Sequence, residues 1–194
     1  MRHRSIRIAV PMMLLCLLCA CAGKAQNPVQ APMDFRGRLL AEGGCAFELE
    51  ARAEAGDRLW QLTLSCELDA AGDGTVTVLA PESIAGITAR SQGGSGSLVY
   101  DGVCLGLGTL PGTELAPAAA PGRLVRAWAQ DWISSAGPDA GCLLAAYEDG
   151  SFLSYTWFDA RNLPVRAELA VDGETRFRAE IRNFRWKSGT QSAP

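Results

Sequence analysis

Alternation of apolar and polar side chains with a period of two constrains this chain more than any other feature of its sequence. In extended backbone, successive side chains lie on opposite faces, so such a segment buries one face and exposes the other. Turn signals such as Asp101-Gly102 and Asp149-Gly150 recur about every ten residues between these segments. From position 35 onward, the sequence therefore predicts a mainly β (α+β) domain built on an antiparallel sheet of roughly nine to eleven strands.

The two-faced pattern is clearest in the segments 45–52 and 59–68. If Ala55-Gly56 is a two-residue turn, one face of the hairpin carries polar pairs such as Glu50 with Gln61. The other face then carries apolar pairs, namely Ala51 with Trp60, Leu49 with Leu62, Phe47 with Leu64, and Cys45 with Cys66.

The period changes to a helical one between positions 121 and 136. The apolar residues at helical spacing are Leu124, Val125, Ala127, Trp128, Trp132 and Ile133. Because Gly137-Pro138 is a typical helix end, the sequence predicts one main helix over 121–136.

The first twenty residues have the three parts of an export signal: a basic start, an apolar run over 8–18, and the small residue Ala20 before Cys21. The apolar run is shorter than the roughly 20 residues that a membrane-spanning helix needs. The stretch from Leu18 to Cys21 resembles the lipobox of bacterial lipoproteins, whose cysteine carries a diacylglyceryl group and palmitate. Cys19 fits this motif poorly, because Leu18 precedes it where the lipobox has a small residue. The alternative is a plain signal peptide cut near Ala22 or Ala25.

Four segments follow from these patterns. We predict a lipoprotein signal peptide over 1–20, a lipidated Cys21 with a flexible tether over 21–33, a folded domain over 34–188, and a disordered tail over 189–194. The tether is polar, shows no alternation and contains Pro28 and Pro32. Lipidation would place the protein on the outer face of the cell membrane, or on the outer membrane of a host that has one.

Export also changes how the cysteines are interpreted, because the exported chain keeps Cys45, Cys66, Cys104 and Cys142 in a compartment that permits disulfides. Directly opposed residues of a hairpin have Cβ atoms near the spacing of a disulfide, so Cys45 and Cys66 are a candidate pair. Two buried free thiols are the alternative, since cysteine is often buried without bonding.

The composition disfavours several classes of function. The only histidine is His3, in the leader, so the exported domain has no Ser-His or Cys-His nucleophile and no histidine metal site. The formal net charge of −3 becomes more negative once the basic leader is removed, which disfavours nucleic acid as a partner. We therefore expect no catalytic residues, no metal and no cofactor, and a protein that is not an enzyme.

The C-terminal strand is basic on one face, through Arg176, Arg178, Arg182, Arg185 and Lys187. This pattern predicts a solvated edge strand whose charges discourage pairing between sheets. A face turned toward anionic lipid headgroups is the alternative.

Three short features, taken with the order of the elements, resemble a known family. They are a Pro-x-x-x-x-Gly-Ile step at 81–87, a helix near two-thirds of the chain, and an Asp-x-x-x-Leu-Pro segment at 159–164 followed by a strand that ends in Asn183-Phe184. This arrangement resembles the LolA-like superfamily, which includes carriers of the LolA and LolB type, mycobacterial lipoproteins of the LppX type and clostridial lipoproteins such as the germination protein GerS. It is most similar to the lipid-anchored clostridial members.

The resemblance implies a curved sheet that forms an incomplete barrel, with the helix on its concave face and an apolar cavity between them. A packed core is the alternative interpretation of the same apolar side chains. The residues that would line such a cavity are Phe47, Trp60, Leu62, Leu64, Trp128 and Trp132.

Two functions follow from the resemblance. The first is a lipid-anchored extracytoplasmic protein that binds a lipid or another hydrophobic ligand in the cavity. The second is a protein-binding scaffold for a cell-envelope or spore-cortex enzyme, as in GerS-type lipoproteins with an amidase partner.

Overall fold

The computed structural model describes residues 27–55, 58–108 and 116–187. The described chain contains helix α1 (Gln30–Ala41), helix α2 (Ala120–Gln130), a 3-10 turn (Glu82–Ile84) and eleven strands. Cys21, the predicted signal peptide, the first part of the predicted tether (up to residue 26) and the whole predicted tail lie outside these residues. The strands are β1 (Gly44–Ala55), β2 (Arg58–Asp69), β3 (Gly74–Ala80), β4 (Thr88–Gln92), β5 (Ser95–Tyr100), β6 (Val103–Gly108), β7 (Trp132–Asp139), β8 (Cys142–Asp149), β9 (Phe152–Phe158), β10 (Pro164–Val171) and β11 (Glu174–Trp186).

All eleven strands belong to one antiparallel sheet in the order β6-β5-β4-β3-β2-β1-β11-β10-β9-β8-β7. Strands that are neighbours in the sheet are also consecutive in the chain, with one exception. Strands β1 and β11, from the two ends of the domain, pair with each other at the centre of the sheet. Strands β6 and β7 form the two edges, so the sheet is not closed. The prediction of a mainly β, antiparallel domain is confirmed.

Trp128 shows that the sheet is curved. Its ring lies 5.8 Å from that of Phe47 on β1, and its indole N–H donates to the hydroxyl of Thr156 on β9 at 2.8 Å. Strands β11 and β10 separate β1 from β9, a distance of roughly 14 Å in a flat sheet. One side chain reaches both strands because the sheet bends around it.

The predicted register of the first hairpin is wrong by two residues. Ala55 pairs with Arg58, and Phe47 lies opposite Cys66, with Leu49 opposite Leu64. A shift of two leaves every side chain on its predicted face, which is why the alternation could not distinguish the two registers.

This register moves Cys45 away from Cys66. Cys45 lies opposite Leu68, and Cys45 and Cys66 are both buried free thiols. The opposed arrangement that made them a candidate disulfide is therefore absent.

The predicted helix over 121–136 is too long at its C-terminal end. Helix α2 ends at Gln130, Asp131 has an extended backbone, and Trp132 begins strand β7. Arg36 of α1 helps to end the helix, because its guanidinium donates to the carbonyls of Trp128 at 2.7 Å and Asp131. The helical spacing of Trp132 and Ile133 was coincidental, since strand geometry places Trp132 outside and Ile133 inside.

Helix α1 is absent from the sequence-based prediction, and it begins inside the predicted tether. Its buried positions are Pro32, Phe35 and Leu39, which give only a narrow apolar stripe. Pro32 lies in the first turn, where a missing N–H is tolerated. The helix depends on contacts with distant parts of the chain, which local sequence patterns do not reveal.

Strand β11 is not the solvated edge that its basic face predicts. It lies between β1 and β10, with its guanidinium groups beside carboxylates of neighbouring strands. Arg182 pairs with Glu50 at 2.7 Å, and Arg178 lies 3.7 Å from Glu168. Arg178 and Arg182 therefore belong to a charge ladder across the middle of the sheet.

Candidate functional site

The predicted cavity residues share one face of the molecule except for Trp132. Phe47, Leu62, Leu64 and Trp128 are buried in the core, and Trp60 packs against it half-buried. Trp132 belongs to β7 and is 73% exposed. The structure therefore brings five of the six together.

An aromatic cluster occupies the space where the sequence predicts a cavity. The ring of Phe35 on α1 lies 5.5 Å from Trp128, 5.0 Å from Phe158 and 5.2 Å from Trp186. Phe184 adds a further ring 5.0 Å from Trp186. Sequence reasoning missed Phe35 because α1 was not predicted, and the packed-core alternative describes this half of the molecule.

Helix α2 is held in place by buried charges as well as by aromatic packing. Arg123 is 3% exposed, and its guanidinium pairs with Asp131 at 2.8 Å and with Asp149 at 3.4 Å. The same guanidinium lies 4.9 Å from the centre of the Phe152 ring. These contacts fix the position of α2 against β8 and β9.

An apolar row crosses six neighbouring strands on the inner face, the face on which the side chains of β1 such as Phe47 and Leu49 are buried. The paired residues are, in order from β1 to β6, Phe47, Cys66, Val76, Ala89, Leu98 and Leu105.

Exposure rises along this row. Phe47, Cys66 and Val76 are buried, Ala89 and Leu98 are half-buried, and Leu105 is 59% exposed. Val103, on the same face of β6, is 70% exposed. Within the described residues, the helices cover the inner face at β1 and β2 and leave it progressively uncovered toward β6.

The uncovered part of the inner face is one side of a cavity of about 490 Å³, which we call the open cleft. Its apolar floor consists of Leu68, Val76, Ala89 and Leu98. The segment 116–119 and the first turns of α2 form the opposite wall, and polar groups such as Asp73, Ser91 and Ser95 lie around it.

Two glycines set the distance between this wall and the sheet. A Cβ atom on Gly122 would lie 2.5 Å from the carbonyl oxygen of Gly72, and one on Gly72 would lie 2.2 Å from that of Gly122. Gly72 also has a φ of +81°, which other residues rarely adopt. The first turn of α2 and the turn between β2 and β3 thus touch backbone to backbone, which no larger residue would permit.

Two buried thiols and one buried tyrosine hydroxyl of the core keep their protons. Burial raises the pKa of the Cys45 thiol to about 12 and raises the pKa of Cys66 even further. Burial likewise raises the pKa of the Tyr147 hydroxyl. At neutral pH these thiols carry their protons, so neither is a reactive thiolate.

A second cavity, of about 580 Å³, lies on the outer face near Ala80 and Pro81. Its polar lining combines both signs of charge, from Glu50, Arg52, Arg166, Arg178 and Glu180. Arg166 and Arg178 pair with Glu168, so this groove is part of the charge ladder.

The described residues contain neither a candidate metal site nor a helix that could span a membrane. No group of three or more His, Cys, Asp or Glu side chains in 27–55, 58–108 and 116–187 could hold a metal ion. In the same part of the chain, no helix has the length and apolar character needed to cross a bilayer.

No protein-family model and no curated protein matches this chain. Among solved structures, it is similar to a LolA superfamily protein from Nitrosomonas europaea, at 10% identity over 83% of this chain and 94% of that one, with a TM-score of 0.40. A DUF1329 family protein from Desulfovibrio piger is 9% identical over 84% of this chain and 95% of that one, with a TM-score of 0.44. Lipoprotein LppX from Mycobacterium tuberculosis is 13% identical over 80% of this chain and 94% of that one, with a TM-score of 0.37.

Proposed function

We propose that this protein is an extracytoplasmic lipoprotein, anchored through an acylated Cys21, that binds a lipid or another hydrophobic ligand in the open cleft. The site differs from the one that the sequence predicts. The ligand lies on the inner face of β3–β5, on the concave side of the sheet. The aromatic cluster around Phe35 and Trp128 forms the packed central part of that face.

This proposal rests on the apolar row of the inner face, whose side chains on β4–β6 are not covered by the described helices. Contiguous exposed apolar surface is uncommon on soluble domains and marks sites of interaction. Here Leu98, Leu105 and Val103 continue the same face as the buried Val76, so the surface is a core face that no other part of 27–55, 58–108 and 116–187 covers. A hydrophobic ligand would remove this surface from water, which stabilises the complex by roughly 25 cal/mol per Å² buried.

The size and chemistry of the open cleft agree with such a ligand. Its volume of about 490 Å³ lies within the range of about 300–1,000 Å³ typical of small-molecule sites. An apolar floor with a few polar groups around it suits a ligand with an apolar body and a polar end. The protonated thiols and the absence of histidine from the described residues favour binding over catalysis.

The anchor would hold the cleft close to the membrane. Helix α1 begins at Gln30, so the connection from Cys21 spans at most roughly 30 Å even when fully extended. A ligand taken from the bilayer would therefore have a short path to the domain.

A protein-binding scaffold for a cell-envelope or spore-cortex enzyme, such as an amidase, is the second candidate. The packing of Phe35 against Trp128 favours it, because the predicted cavity is solid there. The exposed Trp132 also offers an aromatic contact on the outer face.

Ligand binding can be tested with the mature chain, residues 21–194, carrying Cys21→Ser. We expect native mass spectra to show a bound molecule at fixed stoichiometry that can be extracted. After its removal, a dansyl-labelled fatty acid should bind the protein with saturable fluorescence. Leu98→Glu should weaken this binding by about tenfold or more, because it places a charge on the apolar floor.

Val99→Glu is the matched control. Val99 is also half-buried and is the next residue of β5, but its side chain lies on the outer face. Equal loss in both variants, or a protein that neither carries nor binds a hydrophobic molecule, would contradict ligand binding and favour the scaffold.

A further inference from the structure

Strand β6 leaves one edge of the sheet unprotected. It pairs with β5 on one side, and no strand of the described residues pairs with its other side. Natural edge strands are usually protected by lysine, proline, inward charges or bulges. The sequence of β6, Val-Cys-Leu-Gly-Leu-Gly, contains neither a charge nor a proline.

The opposite edge of the same sheet has the usual protection. Strand β7 contains Pro138 and Asp139, and its pairing with β8 is irregular between Ile133 and Ser135. Proline removes a backbone donor, and a bulge twists an edge away from a flat partner. The two edges of this sheet therefore differ, and only β6 is suited to accept another strand.

The hairpin geometry shows which backbone groups of β6 are available. Asp101 and Gly102 form a two-residue turn with φ values of 47° and 77°, so Tyr100 and Val103 are the hydrogen-bonded pair that closes it. Hydrogen-bonded and non-bonded pairs alternate along an antiparallel ladder. The N–H and C=O groups of Cys104 and Gly106 therefore point away from β5.

We propose that two copies of this protein pair antiparallel through β6, across a twofold axis. Such an interface uses the same strand from both copies, and an uncharged strand meets its own copy without like-charge repulsion. The exposed side chains of Val103 and Leu105 would pack against those of the second copy on the inner face. Pairing would continue the sheet across the dimer and place the two open clefts on one continuous face.

Pairing of two copies through β6 requires the outward backbone N–H of Cys104. In Cys104→Pro, the outward N–H is removed, while the hydrogen bonds between β5 and β6 remain, because Cys104 makes none of them. In Cys104→Ser, the N–H is kept and the side chain is similar in size. The two variants separate backbone pairing from any effect of the thiol.

Analytical ultracentrifugation of the mature chain with Cys21→Ser, over a series of concentrations with reductant present, measures the association. We expect a reversible dimer for this chain and for Cys104→Ser. For Cys104→Pro, we expect the dissociation constant of the dimer to be at least about tenfold higher. Hydrogen exchange provides an independent measurement, since the amides of Cys104 and Gly106 should gain protection as the concentration rises.

Val103→Lys is a second variant that leaves the backbone of β6 unchanged. It should also weaken the dimer, because it adds one charge to each copy at the interface. A monomer at all concentrations would overturn the proposal, and so would a dimer whose affinity is unchanged by both Cys104→Pro and Val103→Lys. The dimer does not depend on the anchor, but it shares Val103 and Leu105 with the apolar surface proposed for the ligand.

Discussion

Individual side chains at the junction of the helices and the sheet have separate, identifiable roles. Trp128 is fully buried, yet its indole N–H has an acceptor in Thr156, so the large ring is accommodated without an unpaired donor. Arg36 supplies donors to the carbonyls at the end of α2, which the helix itself cannot satisfy. Both contacts join residues far apart in the chain.

The buried thiols make the stability of this protein sensitive to alkaline pH. Burial raises the pKa of Cys45 from 9.0 to about 12, so the folded state keeps a proton that the unfolded state loses above about pH 9. The stabilising effect of this proton is fully present below pH 9 and is lost progressively as the pH rises toward 12. The slope contributed by one thiol is at most about 1.4 kcal/mol per pH unit.

We predict that Cys45→Ala flattens this alkaline loss of stability, even though the smaller side chain lowers stability at neutral pH. Urea unfolding at several pH values between about 8 and 11 measures the slope. The exposed Cys104→Ala is the control and should follow the wild-type slope. If the free energy of unfolding of Cys45→Ala depended on pH as strongly as that of the wild type, the Cys45 thiol would have the same pKa in the folded and unfolded states.

At the scale of elements, the contact between the β2–β3 turn and the first turn of α2 determines the shape of the open cleft. A methyl group at position 122 would collide with the backbone oxygen of Gly72, which cannot move aside as a flexible side chain would. Alanine would gain about 1 kcal/mol in helix propensity at this position. The collision outweighs that gain, because 2.5 Å is far inside the contact distance.

We therefore predict that Gly122→Ala lowers the free energy of unfolding by about 1–3 kcal/mol and weakens ligand binding, as α2 is displaced from the turn. Gly137→Ala in β7 is the control, because nothing lies within 4 Å of its added methyl group. Urea midpoints and the fatty-acid titration measure the two effects. A Gly122→Ala protein as stable as wild type would mean that the two turns separate easily.

At the scale of the whole molecule, the aromatic cluster fills the inner face at the centre of the sheet, and the described residues leave that face open toward the β6 edge. The well-packed centre of the sheet can hold the less covered strands near β6 in place, as a binding protein requires.

The proposed lipid anchor at Cys21 can be tested in the intact cell. Cys21→Ser should move the protein from the membrane fraction to the soluble extracytoplasmic fraction and abolish labelling by palmitate, because a stable anchor needs the acyl chains. Cys19→Ser is the matched control and should keep both properties. Cell fractionation with labelled palmitate decides between the lipobox and a plain signal peptide, for which neither substitution would matter.

Much of the sheet followed from the sequence. The alternation of apolar and polar residues identified the strands and the buried faces of β1 and β2, because a strand exposes every second residue to one environment. It could not fix the register between Phe47 and Cys66, since a slip of two residues preserves the faces. The sequence pattern also predicted the wrong C-terminal end for α2, because Trp132 and Ile133 fit a helical and an extended pattern equally well.

Local patterns in the sequence were thus enough to predict the class of fold, the faces that β1 and β2 bury, and the candidate export and lipidation signal. The formation of α1, the packing of Phe35 in the predicted cavity and the position of the open cleft over β3–β5 became visible only in the folded domain. These features depend on contacts such as that of Phe35 with Trp128 and that of Gly72 with Gly122, between residues distant in the chain. Periodicity describes each segment relative to water, and it contains no information about which distant segment will cover it.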